Sequence, residues 1–364
     1  MISLNARAQD PMFTQTQATG IYLNPANAGH YDGLNANLVG RIQYLGLGAS
    51  QAYRTSLASL DGYTNQKTRV ALGAYFLTDR AGASKMTANT FQAMASHYVD
   101  FGGLRRNQNV LRYGLAMGYS QRSVNYDDLV FGDQLNLLGR SATSAENLAG
   151  MDFASMGTIA TGLKLTIGGN TFLGASYQHY VGSRQNFITN ASVADVLFMP
   201  RMILEVRHKR KLRPNLARGR ARNHGLVSKS IGKFDAAVEP YLIMRYQGKL
   251  GQTQFRQLDA GLLFNYQEFR IGAAYRGLDN TSALCFIAGF ELKTMPLLLK
   301  PKDKTPEDAY MRIFYSYDAG LGALARGFGP THELSVSYHI KPRKPRRPSE
   351  ECPNLNTTHA FFKN

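Results

Sequence analysis

The sequence contains no tryptophan, two cysteines and only 18% charged side chains in 364 residues. Cys285 and Cys352 are too few for a disulfide scaffold and too isolated for a zinc site. There is no run of about 18 apolar residues, so no helix is expected to span a membrane, and mean hydropathy is −0.28. Strands escape this exclusion, because a transmembrane strand alternates apolar with polar residues and leaves only a faint hydropathy trace. Tyrosine (20) and phenylalanine (19) supply the aromatics that tryptophan does not. Acidic residues are also sparse, which leaves a formal net charge of +17. Such a charge points first to nucleic acid. However, the cations concentrate in residues 207–222 and 341–347, with few interleaved aromatics and no nucleic-acid fold motif. An anionic membrane surface, an anionic glycolipid or an acidic partner fits as well, and no nucleic-acid partner is expected.

What is present is a period of two. Met311, Ile313, Tyr315 and Tyr317 fall on one face, with Arg312, Ser316 and Asp318 on the other and Phe314 the exception. Leu334, Val336, Tyr338 and Ile340 likewise oppose Glu333, Ser335, Ser337 and His339. Leu34, Ala36, Leu38 and Ile42 oppose Asn35, Asn37 and Arg41, and Leu111, Tyr113, Leu115 and Met117 oppose Arg112 and Gly114. Further strands are expected near 50–60, 69–78, 90–101, 155–167, 170–182, 236–247, 252–264, 268–277 and 283–292. Gly168-Gly169-Asn170 reads as a hairpin turn, since glycine supplies positive φ. One apolar and one polar face over most of the chain predict an all-β fold, a transmembrane antiparallel barrel whose outside meets lipid.

Four regions follow. Residues 1–8 end in Ala6-Arg7-Ala8, the small-x-small form of a signal-peptide cleavage site, and read as a signal-peptide remnant. Residues 9–33 are rich in Gly, Pro, Asn and Thr and form an irregular segment, placed at the barrel mouth or rim and serving as a partner-binding element or a structural plug. Residues 34–340 form the barrel. Residues 341–364 are basic and Pro-rich, an extended tail expected in the periplasm. Met202, Leu204 and Val206 mark a strand just before the basic tract 207–222, which is read as a loop, either solvated or docking an acidic surface.

Sites that would carry chemistry are weak. His332, Glu333, Ser335 and Ser337 invite comparison with a hydrolase triad, but alternation turns His332 away from the other three. His97 and His179 fall on outward faces. Asp127, Asp128 and Asp133 lack a calcium-loop pattern, and Gly46-Leu47-Gly48 lacks the remainder of a nucleotide loop. No catalytic residue, cofactor or metal is expected. Asp318 and Glu333 read instead as lumen carboxylates pairing with Arg41, Arg112, Arg270, Arg276 or Arg312, because an unpaired buried charge is costly.

Several short motifs stand in a fixed order: Asp10-Pro11-Met12-Phe13-Thr14-Gln15, then Leu23-Asn24-Pro25-Ala26-Asn27-Ala28-Gly29, then Arg41-Ile42-Gln43-Tyr44, then Gly73 through Asp79 and Gly82. Near the end come Tyr315-Ser316-Tyr317-Asp318 and His332-Glu333-Leu334. In this order they resemble the PorP/SprF family of Bacteroidetes outer-membrane proteins, associated with type IX secretion and gliding motility. Tyr44 stands where the family has Trp. The resemblance implies an outer-membrane barrel of fourteen strands. Its implied partners are a secreted adhesin, which it anchors or helps to export, or periplasmic motor components of the secretion system. It also marks Asp10, Pro11, Phe13, Gln15, Leu23, Asn24, Pro25, Gly29, Arg41, Tyr315, Tyr317, Asp318, His332 and Glu333 as structural or partner-binding positions. The alternative is a porin or solute channel in the same membrane.

Overall fold

A computed structural model describes residues 10–31, 33–48, 51–65, 69–82, 86–101, 109–124, 135–136, 139–140, 153–179, 199–212, 236–249, 252–278, 282–294, 309–321 and 327–340. The early strands are β1 (Leu34–Gln43), β2 (Tyr53–Asn65), β3 (Val70–Ala81), β4 (Met86–Asp100), β5 (Val110–Ser123), β6 (Phe153–Ile167) and β7 (Thr171–Gln178). β8 runs Arg201–His208 and resumes beyond Lys209 as Arg210–Leu212; both parts pair with the next strand, so the fifteen paired segments make fourteen strands. The rest are β9 (Ala236–Lys249), β10 (Gln252–Tyr266), β11 (Phe269–Leu278), β12 (Ala283–Thr294), β13 (Ala309–Gly320) and β14 (Thr331–Ile340). Every neighbour is antiparallel, and β1 pairs with β14 from Leu34↔Ile340 to Ile42↔His332, which closes the barrel and leaves no sheet edge. Gly168 and Gly169 adopt φ 60° and 70° in the β6–β7 turn, as the glycine pair predicts.

Burial is inverted relative to a water-soluble protein. Leu38, Leu60, Phe76, Leu163, Phe286 and Leu334 are exposed on the outside, whereas Arg41, Arg112, Glu239, Asp259 and Glu333 are buried within. Lipid, not a second protein layer, satisfies such an exterior. Phe314, the exception in the β13 pattern, faces inward, where the Arg270 guanidinium lies 5.4 Å over its ring.

The basic tract departs from expectation. β8 continues through residues 207–212 because the strand period carries Arg207 and Lys209 into the lumen, where both are buried. Arg207 is ion-paired there with Glu239 at 2.8 Å and Glu205 at 2.9 Å. Residues 213–222 lie outside the described residues, as do 1–8, Asp127, Asp128, Asp133, Glu146 and the tail 341–364.

Residues 10–31 lie neither at the mouth nor on the rim. They pass through the lumen. With fourteen strands, Leu34 and Ile340 end on the same rim, here called the terminal rim. Asp10 sits at the opposite end, 3.4 Å from Arg201 at the start of β8 and 3.2 Å from His179 just beyond β7. From there the segment descends through a one-turn helix α1 (Gly20–Leu23) and a 3₁₀ turn (Pro25–Asn27) to β1. Asp10 therefore stands at the rim opposite the one that carries the C-terminal end of β14. An epitope inserted directly before Asp10 and another appended at the C-terminus should accordingly be reached from opposite sides of the membrane. Antibody access to both, or to neither, on intact cells would show that the segment does not thread the barrel.

Candidate functional site

The site is the contact between this plug and the wall, and its chemistry begins with two short sequences. In Asp10-Pro11-x-Phe13-x-Gln15, each residue has an assigned contact. Asp10 meets Arg201 and His179. The Pro11 carbonyl accepts from the Tyr22 hydroxyl at 2.7 Å. Phe13 is buried edge-on against the Tyr22 ring, with centroids 5.5 Å apart. The Thr14 and Gln15 N–H groups donate to the two oxygens of Glu333, at 2.9 and 2.8 Å. The Gln15 amide donates to the Glu333 carbonyl at 2.9 Å and accepts from Ser335. Backbone outside helix and sheet leaves its N–H groups to find other acceptors, and one carboxylate here accepts two of them.

Glu333 belongs to an ion-pair network. Arg41 donates to Glu333 and to Asp318, each at 2.9 Å. Arg276 joins Asp318 (3.1 Å) to Asp259 (3.0 Å), and Asp259 also holds Arg245. Three guanidinium groups thus face three carboxylates, and the Thr14 hydroxyl donates to Asp318 at 2.7 Å. Of the five partners expected for Asp318 and Glu333, Arg41 and Arg276 fill the role. Arg112 donates to the Tyr63 hydroxyl, Arg270 to Asn265 and Arg312 to Glu291.

The second sequence, Leu23-Asn24-Pro25-Ala26-x-Ala28-Gly29, seats the lower half. Asn24 is extended, as a residue before proline must be, and its side chain caps the Ala26 N–H at 2.9 Å. Its amide donates to the Leu163 and Ala175 carbonyls of the wall (3.0 and 3.3 Å). Ser176 and Gln178 donate to the Leu23 carbonyl, Ser96 to that of Ala28, and Lys164 to the Asn27 side chain. Gly29, at φ 65°, donates its N–H to Asp61 at 2.8 Å. The wall makes room with glycine: a Cβ on Gly114 would lie 2.5 Å from the Ala26 nitrogen, and one on Gly162 would overlap the Asn24 side chain. No local pattern marks these wall glycines as a seat.

The remaining motif residues face outward. Tyr315 and Tyr317 are exposed, and both contact His332; the Tyr315 hydroxyl lies 2.6 Å from its Nδ1. His332 therefore sits on the opposite face from Glu333, Ser335 and Ser337. His97 is outward as expected, beside Tyr113. His179 is not. Gln178 faces inward, so alternation assigns the next residue outward, but His179 takes φ 60°, which ends β7 and turns the ring back into the lumen between Thr158 and Asp10. Among the described residues no group of three or more His, Cys, Asp or Glu could hold a metal ion.

Titration of the plug follows from burial. Burial opposes the Asp10 charge, but Arg201 and His179 outweigh it and hold the carboxyl below its usual range. Burial pushes the Tyr22 phenol up to about 12. His30 is buried with neither ring nitrogen hydrogen-bonded; burial, then Lys164, Arg112 and Arg207, depress its pKa well below the ordinary value. A base depressed in the folded state contributes fully above its unfolded pKa of roughly 6.5 and loses stability as pH falls below it. Plug seating should therefore weaken as pH falls below about 6.5. Protease protection of residues 10–31 should fall below that pH in the native chain and stay flat in His30→Phe; equal slopes would discount His30.

The sequence matches the family model described as type IX secretion system membrane protein PorP/SprF over residues 5–338. No curated protein sequence matches the chain. Solved structures with a similar course include the CymD monoaromatic hydrocarbon channel (14% identity, TM-score 0.45, 90% of this chain and 93% of that one). The Pseudomonas putida toluene transporter TodX (12%, 0.44, 88% and 93%) and a Pseudomonas aeruginosa FadL homologue (10%, 0.44, 89% and 94%) are comparable. At these scores the barrel assignment rests on the closed ladder of this chain itself.

Proposed function

The chain belongs to the PorP/SprF family of type IX secretion system membrane proteins, and we infer that it serves secretion as a plugged adaptor rather than as a conduit. It is an outer-membrane barrel. In this reading it anchors or helps to export a secreted adhesin, or docks periplasmic components of the secretion motor, without catalysing a reaction. The observation that carries this is the plug. Residues 10–31 fill the lumen end to end and are tied to the wall by buried ion pairs and by hydrogen bonds from Thr14, Gln15, Asn24 and Gly29. A permeation path would need these contacts to break together. The partner surfaces are then the rims.

Strand parity bears on which rim does what. Residues 213–235, with Arg213, Arg218, Arg220 and Arg222, connect strands at the terminal rim, where the basic tail also leaves. The acidic stretch 124–152 connects strands at the other rim. The charge favours an acidic periplasmic partner at the terminal rim, with the acidic stretch outside.

Two measurements decide. In planar bilayers the intact protein should be silent, whereas a stable open pore would support the channel reading. Purification of the native protein from outer membranes should recover a large adhesin or a motor component; repeated recovery of the barrel alone would count against an adaptor.

A further inference from the structure

We propose that the outward face of β14, β1, β2 and β3 selects an anionic, phosphate-bearing lipid, with its head on Arg80 and an acyl chain in the groove beneath. The cross-strand register assembles this face. Ile42 pairs with His332 on one side and with Arg54 on the other; Arg54 pairs in turn with Arg80, and His332 with Tyr317. This row stands on the outside of the barrel near the rim opposite the terminal one. Outward tyrosines gather at the level of the lipid head groups, and Tyr317 sets the two arginines at that level. Like charges directly opposite each other on neighbouring strands repel, and an anion beside them removes the cost. Arg80 is exposed and has no hydrogen bond or ion pair among the described residues, so its planar fork is open to a phosphate. Arg54 has contacts of its own and places a second cation at its side. Among the described residues, the outward positions of β14 and β1–β4 carry no carboxylate.

The groove begins one row deeper. Two residues along the strands, about 7 Å nearer the bilayer centre, Gly40, Ser56 and Thr78 stand side by side. Leu38, Ala58, Phe76 and Val336 form the row after that. Together they line an open groove of about 400 Å³ on the lipid side. Its floor is bare at Gly40, where an added Cβ would meet nothing within 4 Å. The surface thus runs from cation through hydroxyl to hydrocarbon as it descends from the rim, the same order as head, ester and chain in a bilayer lipid. Shape alone does not distinguish it. A second open groove of about 330 Å³, lined by Leu262, Tyr275, Leu284 and Phe286, lies on the same lipid-facing surface and has no charged residue in its lining.

The test exploits the absence of tryptophan from the chain. Phe76→Trp and Phe286→Trp each place one fluorescent reporter, the first in the groove below Arg80 and the second in the uncharged groove. The full chain is reconstituted in mixed phosphatidylglycerol and phosphatidylcholine vesicles in which one lipid or the other is dibrominated, so that quenching reports which lipid touches each groove. Phe76→Trp should prefer phosphatidylglycerol about fivefold, the contribution of one cation at an anionic surface. Phe286→Trp should show no preference. Arg80→Gln added to the first reporter should abolish the preference, and Gly40→Leu, which fills the floor and leaves Arg80 in place, should weaken it. Loss of the preference in inorganic phosphate, but not in chloride of equal ionic strength, would assign Arg80 to a free anion and overturn the lipid site. Equal preferences at the two reporters, or a preference that survives Arg80→Gln, would also overturn it, and the first of these would leave the face to a protein neighbour.

Discussion

Replacing Glu333 with alanine should turn a silent barrel into one that opens intermittently. The carboxylate accepts the N–H groups of Thr14 and Gln15 and pairs with Arg41. Its loss leaves two donors without acceptors and Arg41 leaning on Asp318, which already serves Arg276. Breaking a buried pair from one side costs about 3–5 kcal/mol, and each orphaned donor adds about 1–3 kcal/mol. Even about 4 kcal/mol corresponds to roughly a thousandfold larger population of released plug. Glu333→Gln keeps an acceptor and removes the charge, so it should fall between the two. Single-channel recording measures the open fraction. An alanine variant as silent as the native protein, with the same electrophoretic heat-modifiability, would show that the clamp does not hold the plug.

The second large effect is steric. Gly114→Val should expel the Asn24-Pro25 turn, because the added carbons meet the Pro25 and Ala26 backbone, with Cβ itself 2.5 Å from the Ala26 nitrogen and 2.6 Å from the Pro25 oxygen. Backbone held by Asn24 on the wall cannot swing aside as a side chain would. Overpacking by single methylene groups typically costs about 1–3 kcal/mol, and valine here adds more than one such group. The heat-modifiability midpoint should drop sharply, with trypsin gaining access to the plug. Gly40→Val, where nothing lies within 4 Å, should leave both unchanged. If the two variants behave alike, the wall glycines are not a seat for the plug.

Both effects arise from contacts that no stretch of sequence displays. Thr14 and Glu333 are 319 residues apart and meet only because β1 closes on β14. Alternation alone divided the motif residues of β13 and β14 into Asp318 and Glu333 on the inner face and Tyr315, Tyr317 and His332 on the outer one; that the two carboxylates grip the plug emerged only from the closed barrel. His179 shows where parity fails: one left-handed residue reverses the face, and neither composition nor spacing announces it.

By itself the sequence determined the class of the protein. Alternation has a period of two whatever the neighbours are, so an apolar stripe beside Arg, Asn and Glu already specified strands with lipid on one side and a polar interior on the other. Only the tertiary structure decided that the interior is filled, and by which segment. An irregular peptide carries no periodicity; its place is set by carboxylates, carbonyls and glycines supplied by distant strands, and these become one site only when the barrel closes around it.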